Sequence, residues 1–437
     1  TLFKLTIPMV FGILGMVAFN LVDAFFIGRV GDVDLAALSF PFPVVFIVGS
    51  LPMGLGIGAA ALLSRAVGTG DREEVQRLTT DALVLALLAV AVLGGLGLLT
   101  IDSVFELLGA GPKIRPLIRE YMTIWYPGVM FLVIPMVGNS AIRATGDTRT
   151  PSAVMLVAFL INIALDPLLI FGLGPIPALG LAGAALATVI ARATTLLVAL
   201  HVLYRRERMI TLKPPPFKVG LRSWQKVLYI GLPNAGANMI YPLGMGVITR
   251  LVSAEGPAAV AAYGVATRID VFALTVVMAL SSVLGPFVGQ NVGAGKRGRV
   301  ERAIRSCQRF ALWWGTGALV VLHFFALPIG SLFGESELVA SNIALYLWIV
   351  PVGYGLQGVF HLSRSALNVL GKPMHAASLS AAHMFMFYVP LAYLGAHYFS
   401  LPGVFAAAAT ANVATGLIAF FWLRRCLADN ECGLISD

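Results

Sequence analysis

IPMVFGILGMVAFNLVDAFFIG, residues Ile7 to Gly28, is an apolar run broken by two polar side chains, Asn20 and Asp23. The surrounding span, 5–29, is long enough to cross a bilayer as one helix, which takes about 20 residues. A carboxylate inside such a span is costly to bury and normally faces a cavity or a partner. One other aspartate in this half of the chain has a comparable setting: Asp166, in NIALDPLLIFG (Asn162–Gly172).

Outward from that stretch, composition points the same way. The chain is 58% hydrophobic and 12% charged, with a mean hydropathy of +0.88. A soluble domain is about 45–50% apolar and about 25% charged, so the sequence predicts an integral membrane protein. The runs are too long for the alternating strands of a barrel. The 46 glycines suit close helix packing in lipid. The net charge of +9 sits in loops, which argues against a nucleic-acid partner. Cys307, Cys426 and Cys432 have no metal-like spacing and suggest no disulfide framework. No cleavable signal is visible, and Thr1 in place of Met reads as a trimmed start.

Apolar runs separated by charged or Gly/Pro-rich breaks predict an all-α membrane protein of twelve spans: 5–29, 35–64, 79–100, 116–138, 152–172, 180–203, 226–250, 258–289, 304–327, 341–363, 376–396 and 402–423. Basic residues fix the orientation. Lys4, Arg65, Arg143, Arg205 to Lys226, Lys296 to Arg305, Arg364 and Arg425 fall with the termini and even-numbered loops. Arg29, Lys113, Arg115 and Arg250 fall on the opposite side. Basic loops stay in the cytoplasm, which puts both termini inside a cell inner (plasma) membrane. The polar stretch from Tyr204 to Trp224 divides the chain into an N-lobe (1–203), a cytoplasmic linker (204–225) and a C-lobe (226–437).

The halves repeat. MGLGIGAAALLSRAVGTGDREEV begins at Met53 and MALSSVLGPFVGQNVGAGKRGRV at Met278. The same offset pairs Pro8 with Pro233, Gly70 with Gly295, Tyr121 with Tyr346 and Gly146 with Gly371. Two six-helix lobes of like orientation make a central cleft, where a substrate would bind. The repeat is also an internal control. Asp23 maps to Ile248, Asp166 to Leu391, Asn162 to Phe387 and Asn20 to Met245. The second copy keeps the shape and drops these polar groups, so the fold itself does not require them.

Helical rise places Asp23 and Asp166 each about 9–10 Å below the outer end of its span, with Tyr121 and Thr188 at a similar depth. Asn20 and Asp23, and Asn162 and Asp166, share helix faces. Four helices thus aim polar groups at one level of the N-lobe; the alternative is that each caps a neighbour's backbone. Two such carboxylates repel, so one takes up a proton, or a sodium ion held by Asp23, Asn162, Asp166 and Thr188 neutralises the pair. Arg192, four residues after Thr188, reads as a counter-charge. Pro8 and Pro167 weaken their helices and are candidate hinges.

The pattern IPMVFG…NLVDAFFIG, GDTRTP (Gly146–Pro151) and NIALDPLLIFG resembles the multidrug and toxic compound extrusion (MATE) transporters, most of all their DinF-like prokaryotic branch. The resemblance covers almost the whole chain. It implies an antiporter expelling small amphipathic, often cationic compounds against inward H⁺ or Na⁺, with no cofactor beyond the coupling ion, working as a monomer among membrane lipid. It also implies that Asp23, Asn162, Asp166, Tyr121 and Thr188 form the coupling network, with first-helix bending at Pro8. The NorM-like branch places acids in the C-lobe, where this chain has Ile248 and Leu391 at the repeat-equivalent positions.

Arg268 and Asp270 in the eighth span either pair with each other or line the cleft, and pairing is the favoured reading. His323, His361 and His383 read as separate, hydrogen-bonded structural groups. Met239, Met245, Met278, Met384 and Met386 suit packing, or an adaptable wall for varied cargo. A lipid-linked oligosaccharide flippase would need a basic cavity, and the basic residues here fall mostly in loops. No HExxH, GxSxG or His/Cys cluster supports an intramembrane enzyme. Paired lobes favour alternating access over a channel.

Overall fold

A computed structural model describes residues 2–28, 41–112, 114–172, 177–211, 216–333 and 336–428; the side chains of 19–25, 27, 42 and 181 are outside that description. Among the described residues the chain is helical throughout, with no strand. The first six helices are α1 (Leu2–Gly28), α2 (Pro41–Thr69), α3 (Arg72–Leu107), α4 (Arg115–Ala144), α5 (Arg149–Ile170) and α6 (Gly180–His201, with a π-helical turn Val202–Arg206). The next three are α7 (Phe217–Ser253), α8 (Pro257–Gly293) and α9 (Arg297–Phe333). Helix α10 comprises Glu337–Ile349, a 3₁₀ turn Val350–Gly353 and Tyr354–Val369. Helix α11 comprises Pro373–Ala381, a π-helical stretch Ala382–Tyr388 and 389–399, and α12 is 401–428. The break between the last two is Ser400, whose φ of 53° is left-handed, followed by Pro402. The chain doubles back tightly there: a Cβ on Gly395 would lie 2.3 Å from the Gly403 carbonyl oxygen.

The repeat is visible in the backbone. α3 begins at Arg72 and α9 at Arg297; α1 ends at Gly28 and α7 at Ser253. The turns before α3 and α9 use Gly70 and Gly295 with φ of 82° and 68°, and those before α5 and α11 use Gly146 and Gly371 with φ of 95° and 82°. L-residues rarely adopt this conformation, so the same glycines punctuate both copies.

Several helices outrun the spans expected from hydropathy. Helix α3 covers 36 residues, or about 54 Å at 1.5 Å per residue, against about 30 Å of hydrocarbon. Its extra turns are charged: Asp71 caps the start by accepting the Glu74 N–H at 2.9 Å, with Glu73 and Glu74 in the first turn. Backbone hydrogen bonding does not stop where the apolar slab stops, so Arg297 to Arg305 and Phe217 to Lys226 are helical too.

Two compact units divide at Ala235/Gly236, within α7. Each has its own apolar core, one built around Leu55, Phe105, Met122 and Ile142, the other around Ile248, Leu347, Tyr354 and Phe405. Large apolar side chains such as Leu99 (85% exposed) and Phe324 (76%) cover the outside, as a lipid-facing surface requires. In the first unit the stretch after Tyr204 is tied to α3: Gln76 Nε2 donates to the Arg208 carbonyl at 2.9 Å, and the Thr211 N–H to Thr80 Oγ1 at 3.0 Å. Trp224 Nε1 donates to the Asp81 carbonyl at 3.0 Å. Cys307 is buried and free. Cys426 is disulfide-bonded, contrary to the expectation that no cysteine pairs.

Candidate functional site

Helix α5 is apolar except on one stripe. Asn162 and Asp166, one turn apart, are both fully buried. Asn162 Nδ2 donates to Asp166 Oδ1 at 3.0 Å. Asn162 Oδ1 is buried and has no hydrogen-bond partner among the described residues. Pro167 removes the N–H that would have bonded the Ile163 carbonyl, but the helix runs on to Ile170 and the Phe171 N–H closes on the Pro167 carbonyl at 3.3 Å. Pro167 therefore sits in the last turn of α5.

Small residues set the register of the helices around this pair. A Cβ on Gly183 would lie 2.3 Å from the Leu169 carbonyl oxygen, so α6 crosses α5 almost backbone to backbone. The two helices run in opposite directions, and five residues beyond Gly183 bring Thr188 level with Ala164, between Asn162 and Asp166. Thr188 is half-buried. Gly128 against Val189, and Gly138 against Leu203, align α4 with α6 in the same direction. Tyr121, buried in α4, then lies about 6 Å along the axis to one side of Asp166, and half-buried Arg192 about 9 Å to the other. Pro8 is half-buried in the second turn of α1, which continues as one helix to Gly28. The side chains of Asn20 and Asp23 lie outside the described residues.

The second unit holds a carboxylate of its own, Asp270, whose partners the sequence did not reveal. Asp270 on α8 accepts hydrogen bonds from the hydroxyls of Tyr346 and Tyr354 on α10. Tyr346 packs edge-on against Phe405 at 4.9 Å, and Tyr263 stacks on the same ring at 6.5 Å. Arg268 is exposed, and no ion pair joins it to Asp270 among the described residues. The expected pairing is replaced by phenols because residues two apart point to different sides of a helix. Tyr346 is the repeat copy of Tyr121, whereas Asp270 maps to Val45. The available signal was a lone acid in an apolar span; the tyrosines become its partners only through the packing of α8 on α10.

The histidines divide as well. His323 lies among Phe324 and Trp348. His361 and His383 converge on Phe360, with ring centroids at 5.4 and 5.5 Å. Arg364, Arg143 and Arg65, grouped with the loops by sequence, are helical residues of α10, α4 and α2.

The profile of the MatE family matches residues 8–168 and 233–394, two copies whose starts are separated by the same offset as the repeat. A Shewanella oneidensis protein named FAD transporter is 37% identical over 424 residues, covering 97% of this chain and 94% of its own. The multidrug export protein MepA of Staphylococcus aureus is 24% identical over 414 residues, covering 91% and 87%. The Vibrio cholerae MATE transporter VcmN in its bent form superimposes with a TM-score of 0.93 at 30% identity, covering 99% of this chain and 97% of that one. Two lobes of six helices, a doubled sequence and a family profile matched in each copy agree: the chain belongs to the MatE family of multi-pass membrane transporters.

Proposed function

We propose that the protein is a secondary antiporter that exports small amphipathic molecules in exchange for an inward-moving cation, H⁺ or Na⁺. The observation that carries this reading is the Asn162–Asp166 pair. It is a fully buried carboxylate on a helix long and apolar enough to cross a membrane, at positions where the repeat copy has Phe387 and Leu391. A buried ionised carboxylate is expensive unless neutralised. Asp166, with Asp23 as the second acid, is neutralised by a proton or by sodium. The unpartnered Asn162 Oδ1 is a carbonyl-type oxygen of the kind a hard cation takes, and Thr188 Oγ1 and the carboxylates complete that set. Neutralisation at this level favours closer packing of α1 against its neighbours, with Pro8 as the flexible point. Bending is supported by the existence of a bent form of VcmN. Cargo and cation each bind one of two states better, and that difference is the whole of the coupling.

The termini and basic loops face the cytoplasm in this reading, and the acids sit toward the outer face of a DinF-like transporter working as a monomer. The cargo is flat and amphipathic. The multidrug relatives support a broad range, and the FAD transporter relative, at higher identity, supports a flavin dinucleotide within it. The test is uptake of ethidium or FAD into everted vesicles, where export runs inward, under a proton gradient or a sodium gradient imposed separately. Asp23→Asn and Asp166→Asn are expected to abolish gradient-driven export of both while the protein still folds. Asp166→Asn exporting at the wild-type rate overturns the reading.

A further inference from the structure

Arg364, His361 and His383 come together in the second unit, with no acid bonded to them among the described residues. Arg364 is half-buried on α10, and one of its N–H groups donates to Ser380 Oγ on α11 at 3.2 Å. Its other guanidinium nitrogens have no hydrogen-bond partner among the described residues, nor are they sealed from solvent. His361 lies on the same helix three residues earlier, and its ring nitrogens are also without a partner there. His383, in the π-helical stretch of α11, shares its Nδ1 with Thr415 Oγ1 of α12 at 3.0 Å. The Thr415 hydroxyl donates to the Ala411 carbonyl at 2.7 Å, so it accepts from Nδ1–H, and Nε2 of the neutral His383 ring carries a lone pair. Arg364 lies three residues after His361 on α10, and its partner Ser380 three residues before His383 on α11, so both imidazoles fall within a turn of the Arg364–Ser380 contact. The ion pair seen among the described residues of this unit is Arg297–Glu301, and Asp270 is held by tyrosines.

The repeat shows that the scaffold does not need these groups. His361 maps to Met136, Ser380 to Met155, His383 to Ala158 and Thr415 to Ile190; Arg364 maps to Asn139. Apolar or neutral residues fill the same places in the first unit. Three helices of the second unit have instead gathered a fixed cation, two imidazoles and two hydroxyls, with donors to spare.

We propose that Arg364, His361 and His383 form an anion subsite that takes a phosphate or pyrophosphate group of the exported molecule. The guanidinium offers a planar fork matched to phosphate oxygens, and His361 adds an N–H donor from the flank, with His383 Nε2 doing so once it is protonated. This rests on the flavin-dinucleotide reading of the cargo and sharpens it. The second unit grips the phosphates, while the acids of the first unit handle the coupling cation.

The test is equilibrium binding of FAD and of riboflavin, which has no phosphate, to the full-length protein in phosphatidylcholine nanodiscs. Inorganic pyrophosphate and phosphatidylglycerol serve as competitors. Arg364→Gln is expected to weaken FAD at least tenfold and leave riboflavin unchanged, with Arg364→Lys in between. Pyrophosphate is expected to displace FAD from the wild type. Equal loss of FAD and riboflavin, or no loss of either, overturns the proposal. Competition by phosphatidylglycerol without any effect of Arg364→Gln on FAD assigns the site to a lipid headgroup and also overturns it. The coupling reading is judged separately. Asp166→Asn stops export and moves FAD and riboflavin affinities together, whereas Arg364→Gln separates them, so a failure at Arg364 and a failure at Asp166 are told apart.

Discussion

Adding one methyl group at Gly183 tests the geometry on which the first unit's site depends. A Cβ there would meet the Leu169 carbonyl oxygen at 2.3 Å, the Leu169 carbonyl carbon at 2.6 Å and the Ile170 nitrogen at 3.0 Å. All three are backbone atoms, so no rotamer change relieves the contact. Restoring ordinary separation moves α6 from α5 by roughly 1 Å, since nonbonded heavy atoms settle at about 3.5 Å. The Leu179 N–H to Leu169 carbonyl bond of 3.0 Å sits at the same point and is strained by the same movement. Overpacking of this kind costs about 1–3 kcal/mol. The shift falls three residues from Asp166 and five from Thr188, so it also parts the groups proposed to share the cation. Gly183→Ala is therefore expected to lower the thermal midpoint in nanodiscs and to cut gradient-driven ethidium export several-fold. Gly95→Ala is the control: Gly95 is exposed on α3, and a Cβ there meets nothing within 4 Å. It is expected to match or slightly exceed the wild type in stability. Equal midpoints and equal export for Gly183→Ala and the wild type would refute the close α5–α6 crossing.

Two further substitutions separate folding from function. Replacing both members of the buried pair, Asn162→Leu with Asp166→Leu, substitutes apolar groups for a polar pair and is expected to change stability by less than about 1 kcal/mol while abolishing export. A large loss in unfolding midpoint would show that the pair serves the scaffold. Tyr346→Phe removes one of the two hydroxyl donors to Asp270 and leaves an acceptor oxygen short of a bond, at an expected cost of about 1–3 kcal/mol. Combining it with Asp270→Asn should recover part of that loss, read as a coupling energy in thermal or denaturant unfolding.

Long apolar runs and glycine punctuation are local signals, and they made the twelve helices and the doubling readable. Gly70 and Gly295, or Gly146 and Gly371, announce the same turn twice because the backbone there needs positive φ whatever surrounds it. What lies at the edges of the runs was less readable. Arg364 sits five residues before the end of α10, where hydropathy assigns a charge to the loop. Only the packing of α10 against α11 and α12 turns that arginine inward to Ser380. His361 and His383 looked scattered because 22 residues of sequence separate them; the packing of α11 beside α10 brings both rings against Phe360.

The same distinction explains why comparing the halves singled out one polar pair and passed over two other polar clusters. Subtracting the repeat exposes polar groups present in one copy only, and it singled out Asp166 because Leu391 stands opposite. Applied in the other direction it would have singled out Asp270 over Val45 and His383 over Ala158. Tyr121 and Tyr346 survive in both copies, yet Tyr346 bonds to an acid that the first copy lacks. The shared scaffold holds a phenol in both copies, and only the second copy sets the α8 carboxylate beside it. Duplication supplied two equivalent frames, and the polar groups then diverged within them: acids on α1 and α5 in the first unit, an acid on α8 and a basic cluster on α10 and α11 in the second. Two identical lobes would offer any pair of ligands the same chemistry, and this divergence removes that symmetry.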